Sequence, residues 1–280
     1  MKNLFTPNRL VFFEGAPGES FVPDSEKVTE HKSDEALKFQ AKKAPESFEG
    51  TVEAYLTQID ADAKRFEDKA KEGKFFAFGN LGDSWIPSID GLSKLLKGKV
   101  DSADGMYDKH VALREARCAL HPVVTRLERY LKQAEGVTKQ VDAFSWDRVK
   151  DFRASLGMKP VDMSDVLIRG DKFDIDSAAS EKESLFDKEG RYFQYGNLGD
   201  NWIPLIDNLV GRYERKYSEA TDASKKEGVI KEAKTEVGLA VHRLAEYLRR
   251  VEAKTGERDE QSWVALRGIM DKLKFDKVKS

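Results

Sequence analysis

The chain has 280 residues, 35% of them charged, yet its formal net charge is only −2 and it holds a single cysteine, Cys118. That length accommodates two domains of roughly 100–120 residues, each with its own core. One cysteine excludes an intrachain disulfide and a cysteine-rich metal site, and balanced charge without a basic, aromatic-studded stripe excludes a dedicated nucleic-acid binder.

Residues 1–48 are predicted to be a disordered tail. Pro7, Gly15, Pro17, Gly18, Pro23 and Pro45 interrupt any pattern, and the Ser, Glu and Lys between them leave too little apolar surface to offset ordering entropy. The exception is Arg9-Leu-Val-Phe-Phe-Glu14, a short β-prone patch. Leu10–Phe13 reads either as a linear motif for a partner protein or as a segment that packs back on its own domain. It is too short for a secretory core, and no later run approaches the ~18 apolar residues of a membrane span, so a cytoplasmic protein without membrane contact is expected.

Helical periodicity begins at Thr51, where Val52, Tyr55, Leu56, Ile59, Phe66 and Ala70 recur at spacings of three, four and seven until Gly73 supplies a C-cap. A loop follows, then a helix from about Ser84 to Lys97. Next comes a long helix in which Met106, Leu113, Leu120, Leu127 and Ala134 recur every seven residues, with His110, Val124 and Leu131 at the other seam position. Pro122 predicts a kink or break near His121. A last helix is expected from Ser145, read as its N-cap, with Trp146, Val149, Phe152 and Leu156 inward.

This order then repeats. Gly79-Asn-Leu-Gly-Asp-Ser-Trp-Ile-Pro-Ser-Ile-Asp-Gly-Leu92 returns as Gly196-Asn-Leu-Gly-Asp-Asn-Trp-Ile-Pro-Leu-Ile-Asp-Asn-Leu209, with eleven of fourteen positions identical at an offset of 117. The same offset gives 28 identities in 82 positions between 75–156 and 192–273. A constant offset through several elements is the mark of an internal duplication. The second copy offers Ile203, Ile206, Leu209, Val210, Tyr213 and Tyr217, then Ile230, Val237, Val241, Leu244, Leu248 and Val251. Its last stripe is Trp263, Leu266, Ile269, Met270 and Leu273 after Ser262. Its first helix reads as a shorter stretch, Asp176 to Lys188, stopped by Gly190.

The expected fold is all-α: a tandem duplication of a four-helix bundle unit behind a disordered tail. The predicted boundaries are a tail at 1–48, unit one at 49–157, a linker at 158–176 and unit two at 177–280. The linker is assigned by its acidity, since 158–190 holds 5 basic and 9 acidic residues.

The Gly-Asn-Leu-Gly-Asp-x-Trp-Ile-Pro loop carries the candidate site residues Asn80, Asp83 and Trp85 with Asn197, Asp200 and Trp202. As structure, its glycines suit positive φ and a tight reversal. Ser84 or Asn201 suits an N-cap, Pro87 or Pro204 falls in a first turn, and the tryptophan plugs the end of a bundle. As a site, Asn80, Asp83 and Asp90 could offer oxygens to a hard cation, or Trp85 could stack on a carbohydrate or peptide end. The neighbouring aspartate and the missing P-loop lysine argue against phosphate. Asp90 with Arg126, and Asp207 with Arg243, are candidate structural pairs across helices.

His31, His110, His121 and His242 share no ligand spacing, and no nucleophile elbow or dinucleotide fingerprint is present. No metal, cofactor or enzymatic activity is therefore expected. The sequence reads as a non-enzymatic helical repeat protein, an interaction or structural module with an unidentified protein partner. The alternative is a ligand-binding protein with two equivalent loop sites for a small molecule, carbohydrate or cation. An enzyme of unassigned class comes third.

Overall fold

The computed structural model describes residues 47–273, all of its regular structure helical. Nearly all of the expected tail, including Leu10–Phe13, lies outside these residues. The described chain divides into two compact units, 47–138 with 142–161 and 139–141 with 162–273. No helix among the described residues is long and apolar enough to cross a membrane.

Unit one contains α1 (Phe48–Lys71), the one-turn α2 (Phe78–Leu81), α3 (Trp85–Ser102), α4 (Gly105–Thr138) and α5 (Ala143–Ser155). The Ser47 hydroxyl opens α1 by accepting the Gly50 N–H at 3.0 Å. Ile59, Ala63, Phe66 and Ala70 form its buried stripe, and the chain leaves it through Gly73 at φ 78°. Central in the unit is α3, which packs on α1, α4 and α5 through Ile86, Ile89, Leu92 and Leu96.

In α4 the expected seam holds only over its second half, where Leu120, Val124, Leu127 and Leu131 are buried. Met106 and His110 face solvent instead, and Ala112 and Ala116 take the inner positions. The cause is reach: residues 104–111 are exposed all round the helix, so the first turns of α4 have no neighbour among the described residues that could bury a seam, whatever the repeat. Pro122 lies inside α4 without breaking it. Proline removes the hydrogen bond to the carbonyl four residues earlier. That residue, Cys118, is exposed, so water can take the bond's place.

Unit two contains α6 (Met163–Glu189), the one-turn α7 (Tyr195–Leu198), α8 (Trp202–Glu219), α9 (Ala223–Thr255) and α10 (Glu260–Lys272). Here the acidic-linker reading of 158–176 and the short helix from Asp176 both need correction. A single 27-residue helix runs through most of that segment, capped by Asp162, whose carboxylate accepts the Ser164 N–H at 2.9 Å. Val166, Ile168, Ile175, Ala178, Ala179 and Phe186 point inward. The acids that suggested a linker lie on its flanks: Asp165 meets Lys216 at 2.7 Å and Asp171 meets Arg212 at 3.1 Å. Sparse apolar positions with paired acids between them look like a linker only while the partners are unseen.

In α8, Ile203, Ile206, Leu209, Val210 and Tyr213 are buried as the stripe requires. In α10, Leu266 and Ile269 are buried, as is Leu273 at its C-cap, but Met270 is exposed. The caps of α5 and α10 are Asp142 and Asp259 rather than Ser145 and Ser262. Each aspartate accepts both the backbone N–H and the hydroxyl of the serine three residues on, at 3.1 and 2.6 Å in both units. The serines are therefore donors within the first turn. Burial pushes the Asp142 carboxyl above its ordinary value, against the opposing pull of its hydrogen bonds from Ser145.

Candidate functional site

The motif folds as a tight corner in each unit. In unit one, α2 and a turn lead straight into α3, and Leu81 and Trp85 are fully buried. The Trp85 ring stacks on Phe66 at 5.8 Å and 13°, and meets Tyr130 edge-on at 5.5 Å. Phe76 adds an edge contact to Phe66 at 5.5 Å, and its backbone N–H donates to the Tyr130 hydroxyl at 2.9 Å. Burial pushes the Tyr130 phenol up to about 12.

In unit two, Trp202 is equally buried, its ring lies 5.5 Å from Tyr247, and the Phe193 N–H donates to the Tyr247 hydroxyl at 3.0 Å. Lys182 joins this corner, with its ammonium 4.5 Å from the centre of the Phe193 ring. Both motif tryptophans bury an indole N–H that has no hydrogen-bond acceptor.

The motif glycines do not take positive φ, contrary to the sequence expectation. Gly82 and Gly199 are helical, at φ −68° and −70°. They are small for another reason: a Cβ on Gly82 would stand 2.6 Å from the Phe78 carbonyl oxygen and 3.3 Å from its ring, and one on Gly199 2.7 and 3.1 Å from the same atoms of Tyr195. Ser84 and Asn201 occupy N-cap positions without a capping side-chain bond, and the Ser84 hydroxyl instead accepts from Arg65 at 2.5 Å. Pro87 and Pro204 do fall in the first turns of α3 and α8.

The six candidate residues thus separate. Trp85 and Trp202 lie in the core, whereas Asp83, Asn197 and Asp200 are exposed and Asn80 half-buried on the outer side of the corners. Among the described residues no group of three His, Cys, Asp or Glu side chains is placed to hold a metal ion.

The expected Asp–Arg pairs do not form. Asp90 accepts from Arg148 at 2.7 Å and from Lys94 at 2.6 Å, and Asp207 from Lys272 at 2.6 Å. Arg126 turns to α1, where it meets Glu67 and Asp60, and Arg243 turns to α6, where it meets Glu183, Asp176 and Ser180. The arginines therefore sit on the side of α4 and α9 that faces the first long helix of each unit, away from the motif helix.

Sequence reasoning missed several partners, for two reasons. Glu135 and Glu252 accept the indole N–H of Trp146 and Trp263, and each pair stands at the offset of 117, so matching acids beside matching tryptophans was an available signal. Glu67 and Glu183, like Asp60 and Asp176, are 116 apart, because one extra residue enters the second copy ahead of its loop. A search at a constant offset passes over them.

Two further surfaces of unit one have no like in the corresponding text of unit two. A cavity of about 80 Å³ lies between Ser93, Val100, Leu113, Ala116, Ser155 and Leu156. The Ser93 and Ser155 hydroxyls in it are 3.2 Å apart, and its rim cation Lys97 is paired with Asp101. Near the start of α4, Met106, Tyr107 and Val111 are 83%, 79% and 39% exposed. With the exposed His110, Arg114 and Cys118 they occupy one continuous helix face. The positions 117 further on are Ala223, Ser224, Glu227 and Gly228.

No protein-family model matches the chain, and neither a curated protein nor a solved structure shows significant similarity to it.

Proposed function

We propose that this is a non-enzymatic, cytoplasmic protein-interaction module, built by tandem duplication of one four-helix unit. The recurring contacts support the duplication: Tyr130 with Phe76 and Tyr247 with Phe193, Trp146 with Glu135 and Trp263 with Glu252, Arg126 with Glu67 and Arg243 with Glu183. In this reading the Gly-Asn-Leu-Gly-Asp corners are folding devices, since a ligand-stacking tryptophan needs an accessible ring and both rings are inside.

The observation that carries the interaction reading is the exposed apolar face of α4. A methionine, a tyrosine and a valine are clustered there, where unit two has small and polar residues. Clustered apolar surface of this kind marks recognition sites, and Tyr and Met are enriched in protein interfaces. Affinity purification with the wild-type chain and with Tyr107→Lys/Val111→Lys tests the reading. Partners retained by the wild type and lost from a variant of unchanged melting temperature would support it. An identical set of partners on both would overturn it.

A further inference from the structure

We propose that Leu10–Phe13 of this same chain docks on the Met106–Tyr107–Val111 face of α4, so that the N-terminal segment masks the surface just assigned to partner recognition. The inference rests on that assignment for its consequence, and the contact itself can be measured without any partner.

Three observations converge on this occupant. First, the chain enters α1 at the right end of unit one. The Lys99 ammonium lies 4.8 Å from the centre of the Phe48 ring and 2.8 Å from a Glu115 carboxylate oxygen, so the entry to α1 stands beside the α4 turn that follows Val111. From Glu115 back to Met106 is about 14 Å along the helix at 1.5 Å per residue. The chain between Glu14 and Ser47 is long enough, at a covalent limit of about 3.3–3.6 Å per residue, to cover that distance several times over.

Second, the apolar face is peculiar to the unit that the segment precedes. Met106, Tyr107, His110 and Val111 become Ala223, Ser224, Glu227 and Gly228 at the equivalent text of α9, where no comparable apolar run lies immediately upstream. A packing role common to both units would have kept the residues in both.

Third, the chemistry matches. The face offers Met106, Tyr107 and Val111 with Arg114 at its far end, and the run Leu10-Val-Phe-Phe13 stands between Arg9 and Glu14, so its C-terminal end is the one suited to lie toward Arg114. Apolar side chains meet apolar side chains, with a carboxylate available to the guanidinium.

Cys118 makes the test direct, because it is the only cysteine and lies exposed on this face, two turns beyond Val111. A nitroxide attached there in the full-length, isotopically labelled chain is expected to abolish most of the amide signal of residues 10–13. Residues 25–35 should be affected much less, and reduction of the nitroxide should restore the signals. Phe12→Asp/Phe13→Asp, which leaves the described units untouched, and Tyr107→Lys/Val111→Lys should each remove the broadening. Equal, weak broadening throughout residues 5–40 would overturn the proposal. So would selective broadening that appears in labelled, nitroxide-free chains mixed with unlabelled, nitroxide-bearing ones, since the occupant would then be a second copy. If the contact is found but Tyr107→Lys/Val111→Lys leaves partner capture unchanged, the recognition assignment fails while the docking stands.

Discussion

Arg126 grips Glu67 through two parallel bonds, Nε to Oε1 and a terminal nitrogen to Oε2, both 2.7 Å long. Arg243 holds Glu183 in the same way at 2.9 and 2.6 Å. The planar fork of a guanidinium matches a carboxylate, so the pair ties α4 to α1, and α9 to α6, in one register.

That bond is expected to show in the acid limb of stability. The hydrogen bond from Arg126 holds the Glu67 carboxyl below its ordinary value near 4.5. A carboxyl whose pKa is depressed by folding stabilises the fold above its ordinary value, and the contribution fades as pH falls through the folded-state value. Arg126→Ala should therefore cost about 1–2 kcal/mol at pH 7, after allowance for partial exposure, and much less near pH 3. Urea titrations of both proteins from pH 7 to pH 3 check this; parallel curves would refute it.

At the alkaline end three phenols among the described residues contribute, Tyr213, Tyr247 and Tyr130, each raised chiefly by burial, and Tyr130 can be tested by itself. Its phenol is pushed up to about 12 by burial, so the folded chain keeps a proton that the unfolded chain gives up near 10. Stability should then fall by roughly 2–3 kcal/mol as pH rises from about 10 to 12. Tyr130→Phe should make that limb shallower by this amount, leaving the shares of Tyr213 and Tyr247. It should also cost about 1–2 kcal/mol at neutral pH, because the Phe76 N–H loses its acceptor. Faster exchange of the Phe76 amide in the variant would locate the loss.

The two glycines of the second corner should behave differently. A Cβ at Gly199 collides with Tyr195, whereas nothing lies within 4 Å of one at Gly196. Gly199→Ala is expected to cost about 1–3 kcal/mol through overpacking. Gly196→Ala lies within a one-turn helix and should be neutral or stabilise by up to about 1 kcal/mol. Thermal melts of the two variants decide the matter, and equal effects would contradict the geometry.

Trp85→Ala and Trp202→Ala should each cost about 3–5 kcal/mol, as truncation of a buried aromatic does. Trp85→Phe should be far milder than deletion of the ring, since the Trp85 N–H has no acceptor to lose. The check is differential: on a background lacking Trp146 and Trp263, iodide should leave the fluorescence of both motif tryptophans unquenched. Strong quenching with unchanged melting would return the corners to the ligand-binding reading.

Local and periodic features were legible in the residues alone. The helical class followed from spacings of three and four, because burial of a stripe at the 3.6-residue period is written directly into the text. So did the glycines ending α1 and α6, since only glycine enters the left-handed region without strain. The motif tryptophans could be placed at helix entrances from their neighbours, Gly82 and Pro87 in one copy and Gly199 and Pro204 in the other.

What depended on partners distant in the chain was not legible. Asp90 and Arg126 looked like a pair because both recur, but recurrence does not say which neighbour a helix face meets, and packing sends Arg126 to Glu67 instead. The acids of 158–176 read as a linker until α8 and α9 supplied their cations. Met106 and Leu127 occupy the same heptad position in the text, yet one is exposed and the other buried, because how far the neighbouring helices reach along α4 is decided only in three dimensions. The sequence by itself determined the period, the glycines that end α1 and α6 and the repetition of the text, which are properties of neighbours in the chain. Tertiary structure alone decided the pairings, the buried rings and the exposed face of α4, which depend on residues tens of positions apart coming within a few ångströms.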